Sequence, residues 1–447
     1  MRITRRHAIG TAFAALASSV PAFGQEGAVR LAEEVKPGDV FRYDIGLSVT
    51  GTMKVDKGGK VEPLPLTAKA RHRFVERAEV AADNGVGQAV RHYAEAASES
   101  VVGVDKTRRA LGADRRLVVA QRTADGTLHY SPDGPLTRDE LDLAAEHFDT
   151  LCLPGLLPNK DVKPGDTWPI DPGAAQAACL FHGLARNDLV GKLVEVKDGA
   201  ATFTIEGSAE GVENGAAVKV AVKARGRFDL AARRVVALAW GQTDERAQGP
   251  VSPALDVKAE VTVARTPLPA EPAELGPAAR AKVPADGKAP EGLTRLRYAD
   301  PAGRFHMVYP RDWYFVVSTE THLVLRLVAK GEFVTQATVT EWKKPQPGAD
   351  FEAAAKEFRD ATSKQPGWEA EKLLEEGLVP ADGGRKVYRL AAAGKQDGLA
   401  VVQAFHLVVG PNGEHLAVTA LTRQEAAEKV GGRDTALVTA IGFPAKK

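Results

Sequence analysis

Val218, Val220, Val222 and Ala224 alternate with Lys219, Ala221, Lys223 and Arg225. A period of two with one charged face predicts an antiparallel strand over 217–230, buried on one side and wet on the other. The same alternation places Phe203 and Ile205 against Thr202, Thr204 and Glu206, and Val257, Ala259 and Val261 against Lys258 and Glu260. Asn84-Gly85 sits between two such runs, 77–80 and 86–93, and predicts a two-residue hairpin turn. Thr137 followed by Glu140 forms a capping box, with Leu141, Ala144, Ala145 and Phe148 on one face of the helix that follows. A second, weaker helix is expected over 174–184. The first half of the chain therefore reads as mainly antiparallel β, a curved sheet or half-barrel carrying one or two helices.

The pattern changes in the last third. Phe305, Met307 and Tyr309 alternate with His306 and Val308 until Pro310 ends the strand. Leu323, Leu325 and Leu327 repeat the period, and further strands are expected over 333–342, 386–391, 399–409 and 414–421. The run LAVVQAFHLVV at 399–409 is apolar on both faces and belongs in the centre of a sheet covered on both sides. Asp350 caps a helix whose apolar face is Phe351, Ala354, Ala355, Phe358 and Ala361. Thr422 with Glu425 predicts another, stopped by Gly431-Gly432. This part reads as an α+β helix–antiparallel sheet–helix sandwich.

Between the two halves, residues 264–292 hold six prolines and no aromatic residue. Proline at this density removes amide donors and favours extended, solvated backbone. The expected division is a signal peptide at 1–24, a β-rich domain at 25–265, a Pro-rich linker at 266–292 and an α+β domain at 293–447. Val35-Lys36-Pro37-Gly38-Asp39 recurs as Val162-Lys163-Pro164-Gly165-Asp166, each two residues before an aromatic (Phe41, Trp168). Pro then Gly suits the centre of a type II turn. The repeat is one good turn used twice or the trace of a duplicated β-module.

The stretch YADPAGRFHMVYPRDW at 298–313, the helix from Asp350, the strands around it and a last helix running into Ile441-Gly442-Phe443-Pro444 resemble the PsbP/Mog1-like superfamily. The resemblance covers about 150 residues and implies the sandwich fold and protein or ligand binding without catalysis. No functional residue of that family can be matched here. The β-rich part is similar, by strand pattern alone, to the half-barrels of exported lipoprotein carriers.

Composition sets the compartment. A basic start (Arg2, Arg5, Arg6), an apolar stretch from Ala8 to Val20 and Ala22-Phe23-Gly24 form an export signal, with cleavage expected between Gly24 and Gln25. Thr4-Arg5-Arg6-His7-Ala8-Ile9 resembles a twin-arginine signal. The apolar stretch is too short to span a bilayer, and no later segment is long enough. The formal charge of +1 falls to −2 when the three arginines of 1–24 are removed, which argues against a nucleic-acid partner. Export permits a disulfide between the only two cysteines, Cys152 and Cys179, with a chain-entropy value of ~3.5 kcal/mol if unstrained.

Candidate chemistry is sparse. No nucleophile elbow, phosphate-binding loop, dinucleotide fingerprint or zinc motif is present. No catalytic, cofactor or metal residues are expected. A two-residue turn at Asn84-Gly85 would set His72 opposite Ala97 and His92 opposite Arg77, which keeps these histidines apart. His72 and His406 read as interior residues. Glu375-Glu376 precedes a Gly-containing turn and reads as solvated, and Asp139, Glu140 and Asp142 suit a helix N-terminus. The five tryptophans read as core or lid. The expectation is an exported, non-catalytic envelope protein, periplasmic or extracellular, that binds a protein partner or scaffolds an assembly. The alternatives are a carrier of an apolar small molecule in the β-rich domain, and a hydrolase without a local motif.

Overall fold

The alternation at 217–230 is realised in the strand Ala216–Asp229, whose side chains are buried and exposed in strict turn from Ala216 to Phe228. The computed structural model describes residues 27–445 apart from 58, 83–84, 125, 146, 285–286, 345–347 and 349. The cleavage site Gly24–Gln25 lies outside the described residues, as does Asn84 of the expected turn. The fold is a mixed, β-rich one.

The first domain is one open, antiparallel sheet of 13 strands. From one end its path runs Gly126–Tyr130, Leu117–Thr123, Gly85–Val102, Lys60–Ala82 and Val40–Lys57. It continues through Ala254–Pro267, Arg234–Arg246, Ala216–Asp229, Ala200–Glu213 and Val190–Lys197 to Thr167–Pro169. Residues 138–181 cross the inner face. Within them His147 meets Phe74 at 5.7 Å between ring centroids, while its neighbour Phe148 meets Trp240 at 5.6 Å. One core thus joins strands far apart in the sheet order, including Ile45, Phe74, Phe203, Ile205 and Trp240, so the sheet wraps around this segment.

The repeated turn is the same object twice. Lys36 and Lys163 each donate a backbone N–H to the carboxylate three residues on, Asp39 and Asp166, both at 2.9 Å. Gly38 donates to Ala78 O and Gly165 to Leu193 O, both at 2.8 Å. The two glycines have φ of +96° and +99°, as the third position of a type II turn demands.

The capping box at Thr137 forms as expected: Thr137 N–H donates to Glu140 Oε2 at 2.8 Å and Glu140 N–H to Thr137 Oγ1 at 3.2 Å. Its helix, Arg138–Ala145, does not present a single face to a single core, however. Ala144 and the following Phe148 enter the first core, whereas Leu141 and Leu136 enter the core of the second domain. The weaker helix is shorter than expected, Pro172–Ala178, because the chain turns into the strand Gly183–Asn187.

The second domain is a seven-stranded antiparallel sheet covered on both faces. Its order is Trp313–Ser318, His322–Ala329, Glu332–Lys343, His415–Arg423, Leu399–Val409, Lys386–Gln396 and Trp368–Val379. The helix Phe351–Thr362, capped by Asp350, packs Phe351, Ala355 and Phe358 against one face. Leu437, Val438 and the small sheet containing His306–Tyr309 pack against the other. The apolar run 399–409 lies between two neighbours and is buried on both faces from Gln403 to Val409, while Leu399 and Ala400 at its start are exposed. Thr422 does not cap the helix expected after it. Its hydroxyl donates to Thr335 Oγ1 at 2.7 Å, and the segment 424–430 is a short 3-10 turn followed by the helix Ala427–Val430.

The Pro-rich segment is not a solvated tether. Leu275 is fully buried against Val40, Val90, Leu117, Val119 and Tyr130, on the sheet face opposite the main core. Burying one leucine contributes roughly 1.5–3 kcal/mol. Lys282 pairs with Asp133 at 2.8 Å, and Gln121 donates to Gly287 O at 2.9 Å. Proline supplies no amide donor, yet carbonyls and apolar side chains are enough to dock the segment.

Candidate functional site

Titratable groups gather first in the interior of the β-rich domain. Arg91 is fully buried on the strand Gly85–Val102. It donates to Glu76 Oε2 at 2.8 Å, to Thr150 Oγ1 at 2.8 Å and to His129 Nε2 at 3.3 Å. Thr150 in turn donates to Glu76 at 2.8 Å. Asp149 is 4.0 Å from Arg91 and 3.5 Å from Arg122. His147 sits beside this group, with Tyr93 Oη 3.1 Å from its Nε2 and Phe148 O 2.7 Å from its Nδ1. A ring protonated at Nδ1 alone donates to the carbonyl and accepts from the tyrosine.

The sequence reading held the histidines apart, and here the structure corrects it. His72 pairs with Ala96, not Ala97, and His92 with Val75, not Arg77. The cause is that pairing begins at Ala82↔Gly85, so Gly85 belongs to the strand and not to the turn, which shifts the register by two; the bulge at Ala94, opposite Arg73–Phe74, returns one of these before His72. His72 and His92 remain apart, but His147, from the crossing segment, stacks on His72 at 4.6 Å between ring centroids. Burial drives all three interior histidines toward the neutral form: His72 to about 4, His129 to about 3 and His147 well below its usual value. The neighbouring Arg91 charge acts in the same direction. The cluster is closed, since Arg91, Glu76, His72, His129 and His147 are all 4% exposed or less. Solvated substrate does not reach it.

Cys152 and Cys179 lie in the same core as free thiols, and the expected disulfide is not formed. Cys152 sits in the 3-10 segment Thr150–Leu156 and Cys179 at the end of the helix Pro172–Ala178. Burial raises both thiols, Cys179 to about 12, so neither is a thiolate at neutral pH. They pack as small apolar groups.

The second domain presents a different kind of feature. Of the two edge strands of its sheet, Trp313–Ser318 is held at its start by the first domain, while Val317 and Ser318 stay exposed. Arg138 donates to Trp313 O at 3.2 Å, and Tyr314 Oη donates to Asn214 Oδ1 at 2.9 Å. The other edge, Trp368–Val379, has no strand on its outer side among the described residues. Eight consecutive residues, Glu369–Glu376, are exposed, on both faces of the strand. Leu373 is 52%, Leu374 48% and Leu378 72% exposed. Four glutamates and one lysine accompany them. Glu375-Glu376, expected to lead into a turn, are inside this strand. Glu375 pairs with Arg389, and Glu376 accepts from Tyr388 Oη at 2.7 Å. No period-two signal marked the strand, because two bulges break its register and neither face is buried.

Beside this edge, Arg389 reaches across the sheet to Asp434 Oδ2 at 3.1 Å, and His406 Nε2 is 3.7 Å from the same oxygen. His406 is fully buried, as expected, and desolvation lowers it to about 4. A cavity of about 120 Å³ adjoins Arg389 and Asp434, and one of about 180 Å³ lies at the Ala94 bulge of the first sheet. Trp168, Trp240, Trp313 and Trp368 are buried; Trp342 is half-buried and packs edge-on against Phe358 at 5.3 Å. Among the described residues no group of three or more His, Cys, Asp or Glu is placed to hold a metal ion, and no helix is long and apolar enough to cross a membrane.

Neither a protein-family model nor a curated protein matches this chain. Among solved structures it is similar to cyanobacterial PsbP from Synechocystis sp. PCC 6803, at 14% identity and a TM-score of 0.26 over 34% of this chain and 92% of that one. It is also similar to the Saccharomyces cerevisiae Ran-binding protein Mog1p, at 14% identity and a TM-score of 0.23 over 34% of this chain and 85% of that one. A third likeness is to the immunity protein TplEi of Pseudomonas aeruginosa, at 10% identity and a TM-score of 0.20 over 56% and 99% of the respective chains. The likeness to PsbP and Mog1p extends to about a third of the chain.

Proposed function

We propose that this is an exported, non-catalytic protein that holds a partner protein through the open edge Trp368–Val379. The observation that carries the reading is the contrast between the two edges of one sheet: one braced at Trp313 and Tyr314 by the first domain, the other bare and lined with leucine. A bare edge offers a row of unpaired N–H and C=O groups to an incoming strand. Proteins that merely protect such an edge use charge and bulges, and both are present here. Protection does not explain Leu373, Leu374 and Leu378, which stand in water. Glu371, Glu375 and Glu376 already pair with Lys395, Arg389 and Arg359, which leaves Glu369 to favour a basic residue in the incoming strand and the leucines to favour apolar ones. Two copies of this edge would set glutamates against glutamates, so the partner is a different chain.

Phe148, Leu151, Leu153, Leu156 and Phe181 fill the inner face of the first sheet, which supports reading that domain as a scaffold for the second in preference to a carrier. The test is a photo-crosslinking residue at Leu374 of the full chain in its native envelope, with the same residue at the 95% exposed Val104 as control. The expected result is a discrete protein adduct from 374 alone, lost with Leu378→Lys. Identical adduct patterns from the two positions would reject the reading.

A further inference from the structure

We propose that the slot beneath Gly431 and Gly432 in the second domain is a binding site for a small neutral molecule bearing a primary amide or urea group. The inference does not rest on the partner edge. Ala391, Ala404 and Ala420 lie side by side on three neighbouring strands, paired Ala391↔Ala404 and Ala404↔Ala420. Ala404 and Ala420 form a floor with nothing beyond Cβ, and Ala391 packs beside them. Over this floor the chain leaves the helix Ala427–Val430 through Gly431 and Gly432, both left-handed, with φ of +55° and +76°. The bend carries it across the sheet face, and about 120 Å³ lies beneath, half open to solvent, with the exposed glycines at the mouth. An apolar cavity of about 150 Å³ holds one benzene, so this space suits about six non-hydrogen atoms.

One end of the slot is polar and unfinished. Asp434 is 3% exposed, and its Oδ1 has no hydrogen-bond partner although Oδ2 is held by Arg389. Arg389 Nε, at the same end, also has none. Buried polar atoms are normally paired, so a lone acceptor beside a lone donor calls for an explanation. The carboxylate oxygen can only accept and the Nε–H can only donate. A group that donates an N–H and accepts at a C=O on adjacent atoms satisfies both together. Net charge in the ligand is disfavoured either way: Arg389 opposes a cation, and Asp434 with Glu375 opposes an anion. Val402, Val430 and Ala427 line the rest and suit a short branched alkyl body.

The probe is isobutyramide, titrated into the full chain with methyl NMR on alanine and valine. Saturable shifts are expected at Ala404, Ala420, Val402 and Val430, with isobutyrate and isobutylamine weaker by about tenfold or more, since each leaves one buried polar atom unpaired. Ala404→Leu fills the floor and should abolish the shifts while thermal unfolding shows the domain still folded. If that variant does not fold, the comparison of the three probes on the unaltered protein decides alone. Equal binding of all three, shifts elsewhere, or no saturable shift would overturn the proposal.

Discussion

Arg91 in the first domain and Arg389 in the second each hold a carboxylate that water barely touches, but they are finished to different degrees. Around Arg91, Glu76, Thr150 and His129 close a network in which all three guanidinium nitrogens have a partner. Around Arg389, one oxygen of Asp434 and the arginine's own Nε are left over, next to a cavity. A satisfied buried network fixes one arrangement of the chain and is a structural device. An unsatisfied one at a solvent-reachable slot is where a ligand has something to gain. The same contrast holds at the level of the sheets: the first wraps its interior around 138–181, and the second leaves an edge open.

The largest effect should come from breaking the closed network. Arg91→Met or Glu76→Leu each leaves an unpaired charge in the core and should cost about 3–5 kcal/mol. The double variant should recover much of that, because no charge is left stranded. Arg389→Met should cost only about 1–2 kcal/mol, since the slot lets water reach Asp434. Chemical denaturation reads all four, and equal costs for the two arginines would erase the distinction.

Next comes the junction between the domains. Leu141 sits on a first-domain helix but is packed in the second-domain core. Leu141→Ala should cost about 2–4 kcal/mol and should lower the unfolding of the second domain, followed at Trp313. If only the first domain is weakened, the two cores are separate. A docked Leu275 likewise predicts that proteases do not cut first in 266–292.

Acid should open the first domain before the second. His72, His129 and His147 are held neutral by burial, with folded values below the unfolded ~6.5. The unfolded chain therefore binds more protons as pH falls below ~6.5. The stability these residues allow is intact above that pH and is lost through it toward about 4, at up to ~1.4 kcal/mol per pH unit for each. In the second domain two histidines, His406 and His415, are buried and lowered. Asp142, raised to about 6 by burial near the junction, works in the opposite sense and favours the folded state as pH falls. His72→Phe should flatten the acid slope, measured by unfolding at pH 5 against pH 7.

What was legible in the sequence followed the buried faces. The strand 217–230, the central strand 399–409 and the cap at Thr137 each carry a one-dimensional signature of burial or capping. What was hidden depends on contacts that no local pattern records. Pairing that starts at Ala82↔Gly85 moved the register of His72 and His92, and a helix shared its two sides between two cores. The Pro-rich segment docked through Leu275, Lys282 and the Gly287 carbonyl. The edge strand Trp368–Val379 was missed because exposure on both faces erases the alternation that identifies a strand, and that exposure is what recommends it as a site.

The smallest effect on stability should come from that edge. Leu378 is 72% exposed, so Leu378→Lys removes little apolar burial and leaves the backbone pairing to Lys386–Gln396 untouched. Unfolding should shift by no more than about 0.5 kcal/mol, as for other surface substitutions. The change in recognition should be far larger. A lysine in the apolar row removes a contact and places a positive charge where a basic partner strand would lie. Leu407, fully buried on the central strand of the same sheet, is the control. Leu407→Ala should cost about 2–5 kcal/mol and weaken partner binding only as far as it unfolds the domain. A variant that keeps its melting curve and loses its crosslinked partner marks the edge as a binding surface; one that keeps both, or loses both together, makes Trp368–Val379 an ordinary border of the sheet.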